Sequence, residues 1–118
     1  MKSFTLSGLE WKKRFSYLKS VPFDANDLRC HGAKFQVVKF MPNSSIKPHY
    51  HRKTCEIFYV QAGVGVIGFN GQKFSVKLGD FFLCEPGDVH EISNGGNEAF
   101  VILIFKTNDA GESDIFWL

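Results

Sequence analysis

The chain has 118 residues, enough for one domain with a buried core and too few for two ordinary ones. Apolar residues make up 44% and charged residues 22%, the balance of a folded globular chain and not of a disordered or fibrous one. The formal charge of +2 gives no ground for nucleic-acid binding, and three scattered cysteines, Cys30, Cys55 and Cys84, give none for a disulfide framework or a four-cysteine zinc site.

Residues 1–33 are mixed in character and read as an N-terminal extension that packs on the body of the domain. Met1 to Leu9 lacks the apolar stretch of a secretory signal, so a reducing cytoplasm is the expected location. Leu9 to Leu18 reads as a short helix or an irregular wrap. Pro22 and the cluster Asp24-Ala25-Asn26-Asp27 read as loop.

From Lys34 onward, short runs of Val, Ile, Phe and Tyr alternate with Gly, Pro and Asn punctuation. Strands are predicted near 34–41, 46–51, 56–61, 64–69, 72–77, 80–84, 88–93 and 99–106. This spacing leaves no room for the helices of a parallel sheet and predicts an all-β sandwich or barrel over 34–118. Asn70-Gly71 between two such runs is the preferred two-residue hairpin turn, because both central residues need positive φ. Phe100 to Phe105 is the longest apolar run, too short to cross a membrane as a helix, and its lack of alternation predicts burial on both faces.

Three of the four histidines fall in two tight contexts. In His49-Tyr50-His51 the imidazoles are two residues apart, so a strand projects both to one face, and Glu56 opens the next run and can point back at them. In Glu85-Pro86-Gly87-Asp88-Val89-His90, a Pro-Gly turn starts a strand that carries His90 inward. Three imidazoles and a carboxylate suit one divalent first-row metal: Fe, Mn, Ni, Cu or Zn. Four protein ligands on an octahedral ion leave about two positions open.

These residues resemble the two motifs of the cupin superfamily. His49, His51, Glu56 and Gly63 match the first; Gly79, Pro86-Gly87, His90 and Asn94 match the second. The intervening Val64–Leu78 holds a single Asn-Gly hairpin, as in the short version of the family. Asn43 stands where the family has a glycine, and Glu85 where it has a proline. The resemblance implies a small double-stranded β-helix, or jelly-roll barrel, with the metal on His49, His51, Glu56 and His90 inside one mouth. It also implies a homodimer, and a small-molecule ligand or substrate in that mouth.

Parity nominates a substrate pocket. Phe58 and Val60 share a face with Glu56, Ile92 and Asn94 share one with His90, and Gln36 and Lys47 are polar residues on flanking strands. Plainer readings compete: Phe58, Val60 and Ile92 as core, Asn94 as a turn-fixing residue, Lys47 as solvated. Tyr59 is expected outside the barrel, and His31 on the surface.

Other signals carry less. Gly63-Val64-Gly65-Val66-Ile67-Gly68 has dinucleotide-like glycine spacing, but a hairpin follows where that motif needs a helix. Trp11 to Tyr17 interleaves bases with aromatics, which on a nearly neutral chain reads as a partly packed face; neither nucleic acid nor membrane is expected as a partner. Cys84 reads as an inert buried thiol, and Asp80 and Asp88 as turn residues. The apolar tail Ile115–Leu118 is expected to form an edge strand or a subunit contact.

Two functions follow as expectations. One is a metal-dependent enzyme of the dioxygenase, isomerase or decarboxylase class, with Glu56 as a ligand or as a base. The other is a non-catalytic sensor for a small ligand or metal. A purely structural metal ranks behind both, because a chain of this length builds a sufficient core without one.

Overall fold

The computed structural model describes residues 1–118, and it is all-β with one short helix. The strands are β1 (Lys12–Arg14), β2 (Tyr17–Phe23), β3 (Lys34–Phe40), β4 (Ser45–Tyr50), β5 (Cys55–Ala62), β6 (Val64–Phe69), β7 (Gln72–Lys77), β8 (Phe81–Cys84), β9 (His90–Ser93), β10 (Phe100–Thr107) and β11 (Phe116–Trp117). Helix α1 (Ala25–Leu28) is a single turn closed by a reciprocal Asp24–Asp27 capping box. No helix is long and apolar enough to cross a membrane.

Two antiparallel sheets face each other as a jelly roll. One runs β1-β2-β3-β10-β5-β8 and the other β11-β4-β9-β6-β7. Their inner faces meet in a core of Val38, Phe40, Phe58, Ile67, Phe100 and Ile102. Burying side chains of this size removes about 1.5–3 kcal/mol of apolar hydration cost each. Gly65 lies against the Phe100 ring so closely that a Cβ there would overlap it, which accounts for that glycine without a nucleotide.

The turns follow the sequence. Asn70 and Gly71 have φ of 50° and 85° and close the β6–β7 hairpin. Asn43, in the place of the family's glycine, has φ of 67°, a left-handed conformation that Asn tolerates better than most residues. Asp80 and Asp88 each accept a backbone N–H three residues upstream, from Lys77 and Glu85.

The structure departs from expectation at the N-terminus. Residues 12–23 are two strands that extend the six-stranded sheet, where the sequence suggested a helix or wrap. Lys12-Lys13-Arg14 has no apolar alternation to mark it, and Pro22 reads as a breaker. Both are tolerated because β1 is an edge strand and the β2–β3 register shifts between Ser20 and Phe23. The basic–aromatic cluster is packed: Lys39 lies over the Trp11 ring at 4.2 Å, and Tyr17 stacks on Phe40 at 5.1 Å. The apolar tail forms β11, which pairs with β4.

Candidate metal centre

The centre sits where the two sheets meet at one mouth of the barrel. β4 and the residue after it supply His49 and His51, β9 supplies His90, and β5 supplies Glu56; all four are buried. A register break makes this arrangement. Ile46 pairs with Ile92 and His49 with His90, so β4 spends three residues where β9 spends two. This bulge lets Ile46 enter the core and still turns His49 and His51 inward.

Each imidazole is oriented by a backbone carbonyl. His49 Nδ1 lies 2.8 Å from Lys47 O, His51 Nδ1 3.0 Å from Asp114 O, and His90 Nδ1 3.1 Å from Asp88 O. A carbonyl can only accept, so Nδ1 carries a proton and donates in all three rings, and in the neutral form of each ring the unprotonated nitrogen is Nε2. The three histidines offer ligand nitrogens within 4.8 Å of one another. Glu56 Oε1 is 2.9 Å from His51 Nε2 and 3.5 Å from His90 Nε2, and it is a buried oxygen without a hydrogen-bond partner. Lone pairs of two imidazoles and a carboxylate thus converge on one point. Such a cluster calls for a proton or a cation between its members, and the donor set fits a divalent first-row metal.

The electrostatics agree. Burial and the neighbouring His90 hold His49 down to about 4, and burial lowers His90 as well, so both are neutral at pH 7. Burial also acts to lower His51, but the Glu56 carboxylate outweighs it and the net shift is upward. Burial would raise Glu56; His51, Lys106 and His90 outweigh it and hold the carboxyl at about 2.

The Asp114 segment supports the site from outside. Its carboxylate accepts the backbone N–H groups of Arg52, Lys53 and Thr54 and the Thr54 hydroxyl, while its carbonyl orients His51. Trp117 of β11 packs on His49, with ring centroids 5.0 Å apart, and Phe15 packs edge-on against Trp117. Phe15 has φ of 51°, unusual for an aromatic residue; it forms the turn between β1 and β2 over the mouth.

Residues 36–106, more than half of the chain, match the family model for the cupin domain. The chain belongs to the cupin family. Among curated proteins, this cupin is 38% identical over 63 residues to an oxalate-binding protein of Thermotoga maritima, a match covering 53% of the chain and 52% of the relative. It is also 38% identical over 55 residues to an uncharacterized protein of Methanocaldococcus jannaschii, covering 47% and 44%. The chain thus matches about half of the length of these curated relatives. Its fold is shared with a predicted oxalate decarboxylase of Thermotoga maritima, at a TM-score of 0.77, 24% identity and coverage of 95% and 96%. It is also shared with a polyketide cyclase of Streptomyces resistomycificus, at 0.84, 18% identity and coverage of 100% and 85%.

The expected pocket residues divide. Gln36, Phe58 and Ile92 line the cavity at the metal centre. Three do not. Lys47 is exposed, because the bulge that turns His49 inward throws residue 47 outward and leaves only its carbonyl facing the site. Val60 has the inward parity but lies deeper, wholly within the core. Asn94 is buried as a turn-fixing residue: it donates to Phe40 O and Glu98 O and accepts from Gly96 N. Tyr59 packs on Phe81 outside the barrel, and His31 is exposed. Cys84 is a buried thiol 3.2 Å from His90 Nδ1, and burial and the Glu56 charge raise its pKa.

Several lining residues escaped the sequence reading: Phe15, Tyr17, Lys106, Ile115 and Trp117. Lys106 alone had a usable signal, since it continues the inward parity of Ile102 and Ile104 at the end of β10.

Proposed function

We propose that this cupin is a metal-dependent enzyme acting on a small molecule chelated to one divalent transition metal, in the dioxygenase, isomerase or decarboxylase class. The observation that carries the reading is the shared tautomer. Three rings tie Nδ1 to backbone carbonyls, and the Nε2 atoms of His51 and His90 face an unpartnered Glu56 oxygen. His49, His51, Glu56 and His90 would hold a divalent ion, which would supply Lewis acidity toward an oxygen-bearing small molecule.

The chain's own groups do the rest. The carbonyls of Lys47, Asp114 and Asp88 fix the rings, the outer support that holds metal ligands in place. Phe58, Ile92, Ile115 and Trp117 wall the cavity and limit water. A carboxyl held at about 2 is a weak proton acceptor at neutral pH, which favours Glu56 as ligand over Glu56 as base.

Elemental analysis of freshly purified protein tests the site: about one metal per chain is expected, and a large loss in His51→Ala. Anaerobic reconstitution with each candidate metal, followed by a substrate panel, tests turnover. A protein inert with every metal and substrate class would refute the enzymatic reading.

A second reading, a non-catalytic binding module, is favoured by the name of one relative, an oxalate-binding protein. Ligand-induced thermal stabilisation without turnover would select it. For assembly we propose a homodimer that covers Ile57, Phe81 and Leu83, apolar side chains exposed on the outer face of β5 and the edge strand β8.

A further inference from the structure

Two polar side chains in the cavity are incompletely partnered. Gln36 on β3 is 3% exposed, lines the cavity, and its Oε1 has no hydrogen-bond partner. A buried amide oxygen left unpaired is costly, and an apolar residue at that place would avoid the cost. Lys106 on β10 is 13% exposed and lines the same cavity. Its ammonium is 3.9 Å from Glu56 Oε2, which is an ion pair but beyond hydrogen-bond distance. Register places the two together: Gln36 pairs with Ile104, two residues from Lys106, and Lys106 pairs with both Lys34 and Glu56.

Two of the neighbouring cations already have acidic partners. Lys34 is neutralised by Asp109 at 2.9 Å, and Arg14 by Glu112. Lys19 lies in the field of Lys106, Lys34 and Arg14; its own burial and these charges lower it to about 8. Lys106 therefore depends on Glu56 for compensation. When Glu56 gives its charge to a cation, Lys106 needs another anion.

Size narrows the anion. The cavity has about 50 Å³ of free volume, space for roughly three to five waters at 10–15 Å³ each. Phe15 and Trp117 line it, so the free space suits a small molecule better than a sugar or an aromatic ring.

We propose that Lys106 and Gln36 form a carboxylate-recognition subsite beside the metal ligands, and that this protein's small molecule is a carboxylate of two or three carbons. One end of the molecule meets the metal position. Its carboxylate accepts from the Lys106 ammonium, and a hydroxyl, where the molecule carries one, donates to Gln36 Oε1. The assignment rests on the metal reading above.

The test uses the full chain reconstituted with Mn(II), with metal content measured on every sample. Calorimetric titration compares oxalate, glycolate and lactate with ethylene glycol and inorganic phosphate. The carboxylates are expected to bind about tenfold or more tighter than the neutral diol, and Lys106→Met to lose about tenfold or more of that affinity while keeping its metal. Gln36→Leu loses less, and Lys106→Arg, which keeps the charge, recovers part of the loss. Carboxylate affinity unchanged in Lys106→Met and Gln36→Leu, with metal retained, overturns the subsite and leaves the metal centre standing. Phosphate bound as tightly as the carboxylates overturns the carboxylate assignment. Wild-type protein that takes up no metal overturns both readings.

Discussion

The two sheets bring different things to the same mouth. The five-stranded sheet contributes imidazoles, two of them neutral at pH 7, held by carbonyls of their own β4–β9 neighbourhood and of the Asp114 segment. The six-stranded sheet contributes charge and hydrogen bonding: Glu56, Lys106 and Gln36, side by side on β5, β10 and β3. The first set is rigid because every ring is held at Nδ1 by a backbone carbonyl. The second set is under-committed, with an unpartnered oxygen on Glu56 and another on Gln36. One half supplies three of the four candidate ligands, and the other supplies the fourth, Glu56, together with the polar groups beside it.

The largest effect expected is in the rigid half. His90→Ala should weaken metal binding by more than about 100-fold, since removing a ligand exceeds the 10–100-fold typical of losing an outer support. Equilibrium dialysis against a chelator buffer measures it; near-native metal affinity in that variant would dissolve the distinction between the halves.

Next is the outer support itself. Asp114→Asn sets an amide group against N–H donors that now meet a carboxylate, and should cost about 1–3 kcal/mol of stability along with a smaller loss of metal affinity through His51. Urea melts of metal-free protein read the first quantity.

Acid sharpens the same comparison. Backbone donors outweigh burial and hold Asp114 at about 2 against an ordinary 3.8. Its stabilising contribution is therefore complete above about pH 4 and is lost as pH falls toward 2, so the gap between wild type and Asp114→Asn should close over that window. His49, held near 4 against 6.5, destabilises the fold as pH falls from 6.5 to 4, because the unfolded chain takes up a proton that the buried ring resists. His51 acts with the opposite sign: its raised pKa stabilises metal-free protein below 6.5, and that gain fades as pH rises through the folded value. Metal must displace this proton, so below the folded pKa of His51 affinity should fall by about one log unit per pH unit. A pH-independent affinity between 5 and 7 would contradict the Glu56–His51 arrangement.

The smallest effect on the site is expected from the outer face of the six-stranded sheet. Leu83→Asp should convert the proposed dimer to monomer by light scattering and leave metal content unchanged. A wild-type monomer would remove that proposal and touch nothing else.

Much of this was legible in the chain. Strand positions from Lys34 to Lys106 follow from alternation and turn residues, and the meeting of His49, His51, Glu56 and His90 follows from parity joined to a family resemblance. Lys47 shows where such reading fails. Parity alone sends it inward with His49, but the bulge at 47–48 resets parity so that Ile46 and His49 are both inside. Nothing local marks that bulge except Pro48. Lys106 was missed for another reason: it continues the parity of Ile102 and Ile104, but the unalternating run before it masks that parity, and its pairing with Glu56 makes its direction plain.

By itself, then, the order of residues determined that this chain is a β-shell with three imidazoles and a carboxylate able to share a centre, because strand period and turn chemistry are local properties. Tertiary structure decided the rest: that the rings expose Nε2, that Asp114 and Trp117 close in from the far end of the chain, and that Lys106 stands beside Glu56. Those facts depend on register between strands distant in sequence, and register is set by packing the whole core, which no short window of residues contains.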